Sequence, residues 1–158
     1  MRPTSNTAPP RIVVAEDDED DRLLAEAALQ DCGLLERVDF VENGEALLAY
    51  LRAHTNAKQQ QLPALVLLDL NMPRKDGRQT LREIREDSNL QHVPVVIFTT
   101  SDNATEVRNS YGMGANSFIT KPTDYNQLVM TLCQVMQYWL HVVQLPRPND
   151  HQPGAYDD

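Results

Sequence analysis

The chain reads as a doubly wound α/β fold: a parallel sheet of five strands in the order 2-1-3-4-5, with helices on both faces. Three observations lead there. Short apolar runs alternate with amphipathic stripes through the body of the chain, the pattern of parallel strands joined by helical crossovers. The run Leu65, Val66, Leu67, Leu68 is apolar at every position rather than at every second one, as a strand covered on both faces requires. Right-handed crossovers then leave few topologies, and 2-1-3-4-5 is one of the two common doubly wound orders.

The elements follow in order. Residues 11–15 are a short β-branched run, the first strand. Residues 21–32 carry Leu23, Leu24, Ala27, Ala28 and Leu29 as a helical stripe closed by Gly33. A second strand takes residues 38–41. Asn43-Gly44 has the composition of a hairpin turn, but Glu45 to Leu51 is a helical segment, which makes Asn43 an N-cap. A polar loop over 54–62 ends at Pro63, and residues 64–68 form the central strand. After a loop over 70–77, Leu81 and Ile84 mark a helix over 80–85. Pro94 opens a strand over 95–98, a polar helix covers 105–111, and the last strand is 117–120. A final helix over 124–143 is 20 residues long. At about 30 Å it outruns a five-residue strand of about 17 Å and should overhang the sheet.

Composition narrows the function. A length of 158 residues favours one domain with a core that needs no disulfide or metal. A net charge of −9 with no Lys/Arg stripe disfavours nucleic acid. No stretch approaches the roughly 20 apolar residues of a membrane span, and the opening residues lack the apolar core of a secretory signal. Residues 1–10 and 144–158, rich in Pro, Asn and Asp, read as disordered tails around a domain at 11–143. Cys32 and Cys133 lie far apart in sequence and read as reduced core thiols of a cytoplasmic protein, not as a bridge. His54, His92, His141 and His151 are scattered at no metal-ligand spacing and read as surface residues.

The chemistry lies at the strand ends. The first strand runs straight into Glu16, Asp17, Asp18, Glu19, Asp20 and Asp21, and the third ends on Asp69. Thr99 follows the fourth strand and Lys121 the fifth. In a doubly wound sheet these four places share the edge where ligands bind. Carboxylates crowded there repel unless a cation lies among them or one is protonated, and hard oxygen donors suit Mg2+.

With these residues in view, the chain resembles CheY-like receiver domains of two-component response regulators over about residues 11 to 143. The matching pieces are Ile12 through Asp17, Asn43 through Leu47, Leu67 through Pro73, Phe98-Thr99, Gly114-Ala115 and Lys121-Pro122. Thr99 follows Asp69 by 30 residues and Lys121 follows Thr99 by 22, spacings that also match receivers. The Glu-Asp pair, Asp21 and Ala115-Asn116-Ser117 look most like the small regulators that partner bacterial phytochromes.

The resemblance implies a (βα)5 flavodoxin-like sandwich and a set of roles. Asp69 is the phosphoacceptor, and Thr99 and Lys121 bind the phosphoryl oxygens. Mg2+, with Mn2+ or Ca2+ as substitutes, is held by Asp17, Asp69 and the backbone carbonyl of Asn71, with Glu16 acting directly or through water. Lys121-Pro122 is a cis peptide. Thr99 and Phe118 form the switch, repacking the face of helix 4, strand 5 and helix 5. The partners implied are a histidine kinase, phytochrome-type, and an unnamed downstream target or histidine phosphotransfer protein. Nothing after Val143 is long enough for an output domain, so a stand-alone receiver that is not an enzyme is expected. The overhanging Tyr138, Trp139, Leu140 and Val143 are expected to form a homodimer interface.

Plainer readings apply to some of these residues. Asp18, Glu19 and Asp20 read as a solvated helix N-terminus favoured by the helix dipole, and Asp21 as its cap or as part of the site. Phe118 also reads as a packing aromatic, and Trp139 as a residue folded back on its own domain. A haloacid-dehalogenase-type Mg2+ phosphatase needs an acid two residues after its nucleophile, where this chain has Asn71. A flavodoxin-like redox carrier needs a phosphate cradle where this chain has six acids.

Overall fold

β-Strands form where apolar residues run together, and the two innermost apolar runs stop where a carboxylate begins, at Glu16 and at Asp69. In the computed structural model, which describes residues 9–55, 61–73 and 75–146, β1 is Ile12–Ala15, β2 Val38–Val41, β3 Leu65–Leu68, β4 Val95–Thr99 and β5 Ser117–Thr120. The helices between and after them are α1 Glu19–Asp31, α2 Gly44–Thr55, α3 Gly77–Glu86, α4 Ala104–Gly112 and α5 Tyr125–Gln137. All strand pairs are parallel and the sheet order is β2-β1-β3-β4-β5, as expected from the sequence. Most of the expected tails, residues 1–8 and 147–158, and part of the polar loop, residues 56–60, lie outside the described residues.

The period of two along a strand divides the core. Val13, Ala15, Val66, Leu68, Val95 and Ile97 face one way, onto Leu47, Leu48 and Leu51 of α2 and Leu81 and Ile84 of α3. Ile12, Val14, Leu65, Leu67, Val96 and Phe98 face the other, onto Ala25, Ala28 and Leu29 of α1 and Leu128, Leu132 and Met136 of α5. The three central strands, β1, β3 and β4, are therefore buried on both sides. Helix starts are set by side-chain caps: Asp18, Asn43, Asp76, Asn103 and Asp124 each accept a backbone N–H of the following turn.

The structure corrects two expectations here. The final helix is not one regular helix to residue 143. α5 ends at Gln137, and a π-helical turn, Tyr138–Val142, continues it, closed by the Val143 N–H donating to the Tyr138 carbonyl at 3.1 Å. This wider turn lays the adjacent Trp139 and Leu140 both against the α1/α5 core, while Tyr138 and Val142 stay exposed. Secondly, Cys32 and Cys133 are not separate thiols but a disulfide. Their separation in sequence is not a separation in space. α1 and α5 pack side by side on one sheet face, so the Cα atoms lie 5.7 Å apart, within the range a bridge spans.

Candidate functional site

Register carries four side chains to one sheet edge. Ala15 pairs with Leu68 and Thr99 with Thr120, so Glu16 and Asp69 emerge side by side, as do Thr99 and Lys121. Backbone bonds hold the exits: Glu16 N–H to Val41 carbonyl at 3.0 Å, Asp69 N–H to Ala15 carbonyl at 3.3 Å, Lys121 N–H to Thr99 carbonyl at 2.7 Å. Glu16 and Asp69 are only 5% and 7% exposed, and Thr99 is fully buried. Gly77 has no side chain for a steric reason: a Cβ there would stand 2.2 Å from the Asp69 carbonyl oxygen. Nothing in the sequence pattern singles this glycine out except its place after Asp76 at a helix start.

Lys121 is the hub. Its Nζ donates to Glu16 Oε2, to Asp69 Oδ2 at 2.9 Å and to Asp21 Oδ2 at 3.3 Å, and lies 5.9 Å from the Phe98 ring centre. Asp69 Oδ1 accepts the Asn71 N–H at 3.1 Å and Glu16 Oε1 the Asp18 N–H at 3.1 Å. Burial, with the Asp69 charge adding to it, pushes Glu16 up to about 7 even though Lys121 pulls the other way. Burial alone would lower Lys121, but its bonds to Glu16 and Asp69 outweigh this and hold the ammonium well above its ordinary range. Thr99 Oγ1 is buried and has no hydrogen-bond partner among the described residues. A buried hydroxyl without a partner is costly, and here it stands at the edge where an anion would arrive.

One oxygen from each of Glu16, Asp17 and Asp69 lies within 4.8 Å of the others. Three hard donors this close, with Asp17 exposed to water, fit a divalent ion that keeps part of its hydration. With Glu16 pushed up to about 7 by burial, an ion at this cluster would compete with a proton on that carboxyl near neutral pH. The affinity for Mg2+ is therefore expected to weaken as pH falls through about 7, by up to about tenfold per unit for one displaced proton. Calorimetric titration in buffers of different ionisation heat, at about pH 6 and about pH 8, reads both the slope and the proton. An affinity flat over that interval with no proton release refutes it.

The other predicted residues fall as follows. Asp18, not Asp21, caps α1, because its side chain reaches the Asp21 N–H; Asp21 is freed to turn its carboxylate to Lys121. Lys121–Pro122 is trans, not cis, as are all peptide bonds among the described residues. The trans form keeps its small intrinsic preference, and the turn from Lys121 to the Asp124 cap accommodates it. Phe118 is half-buried and packs on the α2/α3 side of the sheet. Asn71 sits on the loop after β3 with its N–H turned to Asp69. Sequence reasoning missed Arg85, whose guanidinium donates to Gly114 and Asn116 in the α4–β5 connection and to Val93 just before β4, and so ties α3 to both. It also missed the Arg78–Glu106 ion pair joining α3 to α4.

The comparisons agree with this geometry. Residues 12–132 match the model of the response regulator receiver domain. The chain is 34% identical over 137 residues to the probable methanogenesis regulatory protein FilR2 of Methanothrix harundinacea, covering 87% of this chain and 88% of that one. It is 33% identical over 139 residues to the response regulator Rcp1 of Synechocystis sp., covering 87% and 95%. The crystal structure of the Mn(2+)-bound form of Rcp1 superposes with a TM-score of 0.73 at 32% identity, covering 88% and 100%. That of the phosphorylated cyanobacterial phytochrome response regulator RcpA does so with a TM-score of 0.77 at 36% identity, covering 89% and 100%.

Proposed function

The chain belongs to the response regulator receiver domain family, and from that premise we propose that it accepts a phosphoryl group from a histidine kinase onto Asp69. The observation that carries this is a buried acid held by an ammonium, beside an unpartnered hydroxyl and a three-oxygen acidic cluster. In the reaction Asp69 attacks the phosphorus of a phosphohistidine. A phosphorus–oxygen bond forms, the phosphorus–nitrogen bond breaks, and the imidazole leaves with the electron pair. Lys121 offers its charge to the phosphoryl oxygens and Thr99 its O–H. A divalent ion on Asp17, Asp69 and the Asn71 carbonyl, with Glu16 direct or through water, neutralises charge and aligns the group when bound.

The partner kinase is read as phytochrome-type, supported by the likeness to Rcp1 and RcpA. The chain acts in the cytoplasm on no external substrate. Its output runs through Thr99 and Phe118 to the α4, β5 and α5 face, toward a downstream target or a histidine phosphotransfer protein. A homodimer through the helical extension is part of this reading, supported by the exposed Tyr138 and Val142 beside the half-buried Trp139, Leu140 and Val143.

Incubation with acetyl phosphate and Mg2+ tests it. Intact mass is expected to show one phosphoryl adduct, absent when EDTA is added, and light scattering on the same samples a species of twice the chain mass. No adduct removes the phosphoacceptor reading, and a monomer in every sample removes the dimer.

A further inference from the structure

Three residues at i, i+4 and i+8 on α5 face Asp31, which ends α1, and Cys32, which follows it. The Tyr125 hydroxyl donates to Asp31 Oδ2 at 2.7 Å, Cys32 Sγ lies 3.7 Å from the Val129 carbonyl oxygen, and Cys133 is bonded to Cys32. The two cysteines are each half-buried rather than sealed in the core. Of the three contacts only the bridge is covalent. The Tyr125 bond is at the surface, where a hydrogen bond competes with water and is worth little.

We propose that Cys32 and Cys133 are a reversible thiol–disulfide site that clamps α5 to α1, and that reducing it loosens α5. The co-reactant is a small-molecule thiol–disulfide couple of the glutathione class. An external thiolate attacks one of the two sulfurs, the Cys32–Cys133 bond breaks, and the other cysteine leaves as a thiolate. A second external thiol displaces the first from the mixed disulfide. Two electrons and two protons thus pass to the protein, and the external pair leaves as a disulfide. In the dithiol form the Cys32 S–H finds an acceptor already in place, the Val129 carbonyl. Where a chain works inside the cell, a bridge is more often transient and redox-sensing than structural; this step rests on the cytoplasmic reading above, while the thiol chemistry and its test do not. α5 also carries the apolar π-helical extension, so the state of the pair sets how freely that surface moves.

The full chain is equilibrated in glutathione buffers from fully oxidised to fully reduced, then alkylated and weighed, with amide hydrogen exchange measured at both ends. The expected result is no alkylated cysteine when oxidised and two when reduced, with conversion inside the glutathione range. On reduction, amides of residues 125–137 exchange faster by about tenfold or more, while those of β1 and β3 do not change. The Cys32→Ser/Cys133→Ser double variant shows the fast α5 exchange in every buffer. Two alkylated cysteines in all buffers overturn the proposal. So does α5 exchange that ignores reduction, or a speeding shared equally by the whole sheet, which marks a purely structural bridge. An α5 response to glutathione that persists in the double variant overturns it too. None of these readouts uses phosphorylation, so failure here leaves the Asp69 reading standing.

Discussion

Replacing Asp69 by asparagine is expected to abolish the phosphoryl adduct while the fold stands. An amide offers no nucleophilic carboxylate oxygen, and among the described residues only Asp69 lies both under Lys121 and beside the Glu16–Asp17 pair. Asn keeps the volume and one acceptor. It accepts the Asn71 N–H that Asp69 Oδ1 now takes at 3.1 Å, and loses the Lys121 contact at 2.9 Å. Lys121 retains Glu16 and Asp21. Removing the Asp69 charge also removes one of the forces that push Glu16 upward, so the lost ion pair and the relieved repulsion oppose each other. Stability is expected to change by no more than about 1 kcal/mol. Intact mass after acetyl phosphate and Mg2+ checks the first statement and a urea titration the second. An Asp69→Asn protein that takes up the adduct at wild-type stoichiometry places the acceptor elsewhere.

The grouping of acids, hydroxyl and ammonium at this sheet edge is legible in the sequence. A parallel sheet sends every strand end with the same polarity to one edge. Glu16, Asp69 and Lys121 follow strands and Thr99 ends one, which is enough to bring them together, and β1 and β3 end where the apolar runs do. What escaped the sequence depends on how helices lie on that sheet. Cys32 and Cys133 meet because α1 and α5 cover the same face, a relation no local pattern encodes. Asp18 and Asp21 are both competent caps by residue type. Only the course of the chain out of β1 decides that Asp18 takes the N–H and Asp21 the ammonium. The break at Gln137 is similarly invisible, since a π-turn and an α-turn draw on the same apolar residues; seating Trp139 and Leu140 together on the core selects the wider one.

Replacing Lys121 by methionine is expected to cost the most stability of any change at this edge, and the cost should depend on pH. Methionine fills the space of the lysine stem but leaves Glu16 and Asp69 facing one another with almost no water. Removing one partner from a buried charge network costs about 3–5 kcal/mol. Glu16 sets the pH dependence. Its folded-state pKa is raised above an ordinary value near 4.5 to about 7. A raised carboxyl contributes stability that is fully present below the unfolded value and is lost as pH rises through the folded one. That value already includes the downward pull of the Lys121 ammonium; without the ammonium the folded value lies higher still, and the loss of stability runs on to higher pH. The two proteins should therefore lose stability in parallel up to about pH 7 and diverge above it, the penalty being larger at about pH 8.5 than at about pH 5.5, as urea titrations at the two pH values will read. Millimolar Mg2+ should narrow the gap at the higher pH, because an ion on Glu16, Asp17 and Asp69 supplies the positive charge the lysine took away and stabilises only the folded state. A penalty equal at both pH values and unmoved by Mg2+ would mean that Lys121 matters for its packing against Phe98 rather than for its charge, and the electrostatic account of this pocket would be wrong.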